Sequence, residues 1–243
     1  IANPPFSLEQ WGREIWENDP WGRAFAGLPN DSSGDFAWVQ HMVKSMALGS
    51  GRMAVVLPQG ALFRGGLEGQ IRQYLLKHDL IEAVIGLAPN LFYGTGLAAC
   101  ILVLRQRKPA ERAGKVLVVD ASGQFRKGRA QNYLEPEHAA EILGWVQAFQ
   151  EVPERARVVA LPEIEAVDWT DPIRTRPGGH GPLGLRRGRH CRRAGSRRSH
   201  RLLEDLLHFT GQLLAYGPKA FASRRNRLQF FFYPLLYPNL ARF

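Results

Sequence analysis

The chain has 243 residues and a formal net charge of +10, with 45% apolar and 22% charged residues, enough to build the core of one large or two small domains. Two cysteines, Cys100 and Cys191, exclude a disulfide framework and point to a reducing, cytoplasmic setting. No uninterrupted apolar run reaches the roughly 18 residues of a membrane-spanning helix, and no signal peptide is visible, so no membrane role is expected.

The charge is uneven. Residues 1–170 hold 17 Lys and Arg against 19 Asp and Glu, whereas residues 171–243 hold 15 against 3. A strongly basic protein suggests a polyanionic partner, nucleic acid first. Here that signal belongs wholly to the second segment, so the chain divides into an interpretable part, 1–170, and an Arg-rich tail, 171–243.

Ile1-Ala2 reads as the end of a strand cut through. Asn3, Pro4, Pro5 and Phe6 follow as a turn, because consecutive prolines exclude both helix and sheet ladder. Residues 7–34, rich in Trp, Gly, Pro and Asn, read as a long irregular segment. Residues 36–48 carry apolar side chains at helical spacing (Phe36, Val39, Met42, Val43, Met46), with Asp35 as N-cap and Gly49 just past the end. Residues 53–57 are a short apolar run, as in a strand covered on both faces. Residues 67–77 form a second helix with Leu67, Ile71, Leu75 and Leu76 on one face. Residues 80–87, 98–104 and 116–119 are further strands, and 136–149 a third helix. Alternating helices and apolar strands indicate an α/β domain with a largely parallel sheet. Ligands of such sheets sit beyond the carboxyl ends of the strands, the edge onto which Asn3–Phe6 falls.

Asn-Pro-Pro-Phe has a chemical rationale there. The Asn3 side-chain oxygen and the Pro4 carbonyl can both accept hydrogen bonds from one exocyclic amino group. In adenine the N6 lone pair is delocalised into the ring, and two acceptors on its hydrogens favour a more tetrahedral, nucleophilic nitrogen. Phe6 can stack on the base, which must be flipped out of a duplex to be reached. In-line methyl transfer from a sulfonium donor is the chemistry this suggests, with positioning as the main catalytic contribution. A rigid proline turn with no chemistry is the alternative.

Further segments follow in order: DFAWVQH at 35–41, RMAVVLPQGAL at 52–62, EGQI at 68–71, DLIEAVIGLAPNLFY at 79–93 and CILVL at 100–104. Together with Asn3–Phe6 they closely resemble the modification (M) subunit of type I restriction–modification systems, an N6-adenine DNA methyltransferase. The resemblance covers roughly residues 1–170 and rests on several motifs. It implies the second half of a Rossmann-like S-adenosylmethionine-dependent methyltransferase fold, double-stranded DNA as substrate, and specificity (S) and restriction (R) subunits as partners. It makes Asn3, Pro4, Pro5 and Phe6 the catalytic motif. It places Asn90, Phe92 and Tyr93 on a later motif at the same edge, with Phe92 or Tyr93 helping to enclose the base, and Pro58 and Gln59 along the target pocket. The family's glycine-rich loop for S-adenosyl-L-methionine and its ribose-binding acid, which precede this motif, are not in the sequence. The chain alone is therefore expected neither to hold the donor tightly nor to methylate DNA. A protein or RNA N-methyltransferase, and a non-enzymatic remnant that only binds nucleic acid or a subunit, are the competing readings.

Other features stay structural. Gly94-Thr95-Gly96-Leu97-Ala98-Ala99 matches a dinucleotide fingerprint, but a strand follows where a helix is needed, so it reads as a hairpin turn. Cys100 reads as a buried small hydrophobe and His41 as structural. Trp11, Trp16 and Trp21 read as loop packing. His190, Cys191 and His200 lack zinc-finger spacing, so no metal is expected. Two readings of residues 171–243 stay open: a disordered Arg-rich arm on the DNA backbone, and the product of a shifted reading frame.

Overall fold

A computed structural model describes residues 1–92, 95–167 and 169. In chain order the elements are α1 (Arg13–Glu17), α2 (Asp35–Ser45), β1 (Arg52–Pro58), a 3-10 turn (Gln59–Leu62) and α3 (Gly66–Lys77). Then come β2 (Ile81–Leu87), β3 (Ala99–Arg105), β4 (Lys115–Ala121), β5 (Arg126–Lys127), β6 (Asn132–Tyr133), α4 (Pro136–Ala148), β7 (Ala156–Ala160) and α5 (Leu161–Ala166). Every strand and helix expected from the apolar patterning is present. Unforeseen are α1 within the irregular first segment, the β5–β6 hairpin, and the closing pair β7 and α5.

One five-stranded sheet, in the order β1-β3-β2-β4-β7, organises the chain. At its outer edge Ala2 bridges Val55 in parallel, with Ala2 N–H donating to Ala54 O (3.1 Å) and Val56 N–H to Ala2 O (3.0 Å). The strand ending read at Ile1-Ala2 is thus a neighbour of β1. The largely parallel sheet expected from the element order is corrected. The pairs β1–β3, β2–β3 and β4–β7 are antiparallel, and only β2–β4 among these strands is parallel. The reason lies in the connections. Residues 88–98 carry no described helix between β2 and β3, and a parallel return needs a crossover of a dozen or more residues. The chain therefore turns back antiparallel and inserts β3 between β1 and β2.

The strands are apolar throughout because both faces are covered. Met53, Val55 and Leu57 of β1 face a core made with α2, α3 and α5, including Phe36, Val39, Ile71, Leu75 and Ile164. Ala54 and Val56 face the opposite core, made with Ile85, Ile101, Val119 and α4 residues Ile142 and Leu143. Period-two alternation is hidden from the sequence, since every alternate position is buried too. Between Ile81 and Ala83 the β2–β3 register shifts. Glu82 sits at that bulge, only 6% exposed, and accepts from Arg105 Nη1 (3.1 Å) and Arg112 Nη1 (2.9 Å), which offsets the cost of burying its charge.

Helix limits differ slightly from the sequence reading. Gly34, not Asp35, is the N-cap of α2, and Asp35 is its first helical residue. The helix ends at Ser45, so Gly49 (φ 76°) lies in the turn that follows rather than at the cap. Cys100 is fully buried, as expected. Trp11 and Trp16 pack edge-to-face at 5.3 Å between centroids, whereas Trp21 is 71% exposed. His41 on α2 is half-buried, and burial first, then neighbouring Arg23, hold its imidazole below the ordinary value. Among the described residues no helix is long and apolar enough to cross a membrane. His190, Cys191, His200 and the whole basic tail lie outside the described residues.

Candidate active site

Strand directions decide which loops meet. Ala2, β1, β2 and β4 run the same way, and β3 and β7 run against them. Residues 3–6, the Pro58–Gln59 step and residues 88–92 therefore all leave the sheet at one edge. Ala98, just before β3, enters from that edge, and Gln59 N–H donates to its carbonyl (2.9 Å). This closes the 3-10 turn after β1 against the loop before β3.

The four motif residues are half-buried except for the exposed Pro5. No other described residue donates a hydrogen bond to the Asn3 side chain or the Pro4 carbonyl. Phe6 turns inward and meets Phe92 edge-to-face, with centroids 5.5 Å apart and planes at 68°. Phe92 is 8% exposed and belongs to the core on the α4 side. Two site residues singled out in separate parts of the sequence thus touch directly. Tyr93 lies outside the described residues.

Asn90 shapes this loop. It adopts a left-handed backbone (φ 55°), tolerable for Asn because of its short polar side chain. Its Nδ2 donates to Ala130 O (3.3 Å), and its carbonyl accepts from Asn132 N–H (2.8 Å). Asn132 Nδ2 in turn donates to Pro89 O (2.8 Å). The loop that carries Phe92 is thereby tied to the β5–β6 hairpin.

A polar clamp, not foreseen from the sequence, fixes the turn from the other side. Ser7 follows Phe6 directly and has φ 47°, a strained conformation for a residue with a side chain. Its N–H donates to Asp35 Oδ1 at 2.8 Å, and its hydroxyl lies 3.4 Å from Asp35 Oδ2. Asp35 is fully buried. Its charge is met by Arg64, whose Nη2 pairs with Asp35 Oδ2 and whose Nη1 donates to Ser7 Oγ (3.2 Å). Arg64 also pairs through Nε with Glu68 Oε2 at 2.7 Å. Burial, the largest influence, pushes the Glu68 carboxyl above the usual carboxylate range; Ser33 and Arg64 oppose that shift. The clamp joins the end of the motif, the start of α2 and the start of α3. Its signals in the sequence are an Asp opening an apolar helix and an Arg-Glu pair four residues apart.

The fit to a methyl donor is a separate question. The one glycine pattern in question, Gly94 to Ala99, runs straight into β3, so no helix N-terminus stands behind it. A hollow of about 580 Å³ lined by His78, Asp79, Gln106 and Lys108 lies at the opposite edge of the sheet.

Comparison with known proteins gives the family and the fold. The family model for N-6 DNA methylases matches residues 1–176. The MjaVII type I restriction enzyme methylase subunit of Methanocaldococcus jannaschii is 35% identical over 178 residues, 70% of this chain and 30% of that protein. The HindI methylase subunit of Haemophilus influenzae is 32% identical over 152 residues, 62% of this chain and 33% of that protein. The crystal structure of a type I restriction–modification methyltransferase subunit from Streptococcus thermophilus superposes with a TM-score of 0.63 at 32% identity, over 69% of this chain and 35% of that one. The chain spans about a third of the length of these relatives. Its α/β sheet is that of the type I methyltransferase subunits, and the chain belongs to the N-6 DNA methylase family.

Proposed function

We propose that the chain is the acceptor-side half of the catalytic domain of a type I modification subunit, acting on the N6 nitrogen of an adenine flipped out of double-stranded DNA. The observation that carries this reading is the turn at residues 3–6. It stands at the carboxyl edge of the sheet with two acceptors that no other described residue takes, and with Phe6 seated on Phe92.

In this reading Asn3 Oδ1 and the Pro4 carbonyl accept the two hydrogens of the amino group and orient its lone pair outward. Pro4 and Pro5 hold that geometry without side-chain entropy to lose. Phe6, with Phe92 behind it, offers a ring face to the base, a contact of about 1–3 kcal/mol by analogy with base stacking. Pro58 and Gln59 line the same edge, and Tyr93 is assigned with Phe92 to enclosing the base. The clamp of Asp35, Arg64 and Glu68 keeps Ser7, and so the turn, in its strained form. S-adenosyl-L-methionine supplies the methyl group. The family's glycine-rich donor loop is not in this sequence, so the chain assayed by itself should transfer no methyl group. A specificity subunit selects the site, and a restriction subunit completes the assembly in the cytoplasm.

The test is methyl transfer by the chain supplied in trans with the donor-binding portion of a type I methylase subunit and a specificity subunit. Digestion of the labelled DNA should yield N6-methyladenine. Labelled cytosine, or methyl transfer to RNA or protein in place of DNA, would contradict the reading. No transfer under any complementation would favour a non-enzymatic remnant.

A further inference from the structure

The described part of the chain poses an electrostatic problem. A DNA-facing domain needs cations near the phosphates, yet residues 1–170 carry slightly more acids than bases. One basic stretch, residues 105–115, lies at the opposite edge of the sheet; at the edge of the candidate site the cations gather on the β5–β6 hairpin.

Residues 122–135 hold Arg126, Lys127 and Arg129 against a single acid, Glu135. All three bases are exposed. Arg126 is partly committed, with Nε 2.6 Å from Glu135 Oε1 and its guanidinium 4.5 Å from the centroid of the Tyr133 ring. Lys127 and Arg129 make no ion pair with a described residue. The hairpin is rigid: Arg126 pairs with Tyr133 and Lys127 with Asn132, and Gly128 N–H donates to Gln131 O (3.0 Å) across the tip. A Cβ at Gly128 would collide with the Tyr133 ring and the Gln131 carbonyl, so only glycine fits this turn. The hairpin follows β4, at the edge where the strands β1, β2 and β4 end. Asn132 and Asn90 bond it to the loop carrying Phe92, and Phe92 touches Phe6.

We propose that this hairpin grips the phosphate backbone of the duplex beside the extruded base, through Lys127 and Arg129. The assignment takes as given that residues 3–6 face DNA. Its electrostatic contribution is independent of sequence, as befits a subunit whose target is chosen elsewhere. The rigid link from Asn132 through Asn90 and Phe92 holds the phosphate contact in fixed register with the base-facing turn.

The experiment is DNA binding by the full 243-residue chain at several salt concentrations, followed by fluorescence anisotropy of a labelled duplex. The variant is Lys127→Gln with Arg129→Gln. The control is Lys44→Gln with Arg107→Gln, two exposed cations at the far edge of the sheet. Each phosphate contact contributes about 0.9 to the slope of log affinity against log salt, so the hairpin variant should lose about 1.8. A fourfold rise in salt then costs the parent about twelvefold more affinity than it costs the variant. The control should keep the parent slope. In the complemented enzyme the hairpin variant should raise KM for DNA and leave kcat unchanged. Equal slopes for variant and control, no duplex binding at all, or lost affinity for the specificity subunit with an unchanged slope would each overturn the proposal. A changed slope in an assembly that makes no N6-methyladenine would keep the hairpin and sink the enzymatic reading, so the two fail separately.

Discussion

Asp35→Ala should be the most damaging single change outside the hydrophobic core, and it should act on the turn at residues 3–6. Asp35 is fully buried and receives the Ser7 N–H at 2.8 Å. A hydrogen bond to a charged group contributes about 1.5–3 kcal/mol, and Ala offers no acceptor. Arg64 would lose one of its two carboxylates. Breaking a fully buried pair costs about 3–5 kcal/mol. Arg64 is 32% exposed and keeps Glu68, so solvent and the remaining partner reduce that share to a minor part. The net cost is about 2–4 kcal/mol, a large share of the roughly 5–15 kcal/mol that stabilises a domain. Urea unfolding should show a lower midpoint at unchanged slope, and hydrogen exchange should show the Ser7 amide losing its protection. Asp35→Asn retains Oδ1 as an acceptor and should cost about half as much. A midpoint shift worth less than about 0.5 kcal/mol, or a Ser7 amide as protected as in the parent, would refute the clamp.

Other outcomes follow from the same contacts. A double-mutant cycle on Phe6→Ala and Phe92→Ala should give a coupling of about 0.5–1.5 kcal/mol, the range for an edge-to-face pair; zero coupling would mean Phe6 is not seated there. Burial raises the Glu68 carboxyl above its ordinary 4.5, so the folded chain holds that proton more tightly than the unfolded one. Its contribution is fully present below pH 4.5 and is lost as pH rises through the raised folded value. Glu68→Gln removes that dependence, so the stability of the variant relative to the parent should rise with pH from 4.5 toward neutrality, read from urea midpoints at several pH values. A relative stability that falls instead would mean the Arg64 pair outweighs the cost of burial.

The sequence made most of the strands and helices visible because each is apolar for a simple reason. Residues 53–57, 80–87 and 98–104 lie between two cores, and no polar residue is tolerated on either face except Glu82 at its bulge. Strand direction was not visible, since a strand buried on both faces reads the same either way. The informative signal was the connection at 88–98, which has no helical pattern. β7 was missed because it is an edge strand with Arg157 and Val158 half-exposed, which breaks the apolar run. At the site, Asn3–Phe6 stood out because Pro-Pro fixes the backbone whatever surrounds it. The clamp did not, because Ser7, Asp35, Arg64 and Glu68 are separated by up to 61 positions and meet only through the packing of α2 and α3 on β1. The charge argument changed most. The basic tail first pointed to nucleic acid, whereas the hairpin at 126–133 places cations beside the candidate site itself.

Asn3→Ala in the complemented methyltransferase tests the central claim most directly. Asn3 is half-exposed, so the fold should be unaffected. One of the two acceptors on the amino group is removed, and the loss should fall on the chemical step. The account expects kcat to drop by about 10²–10³, as when one positioned hydrogen-bonding group is deleted from a transition-state site, with KM for DNA little changed. An Asn3→Ala enzyme that forms N6-methyladenine at the parent rate would contradict it.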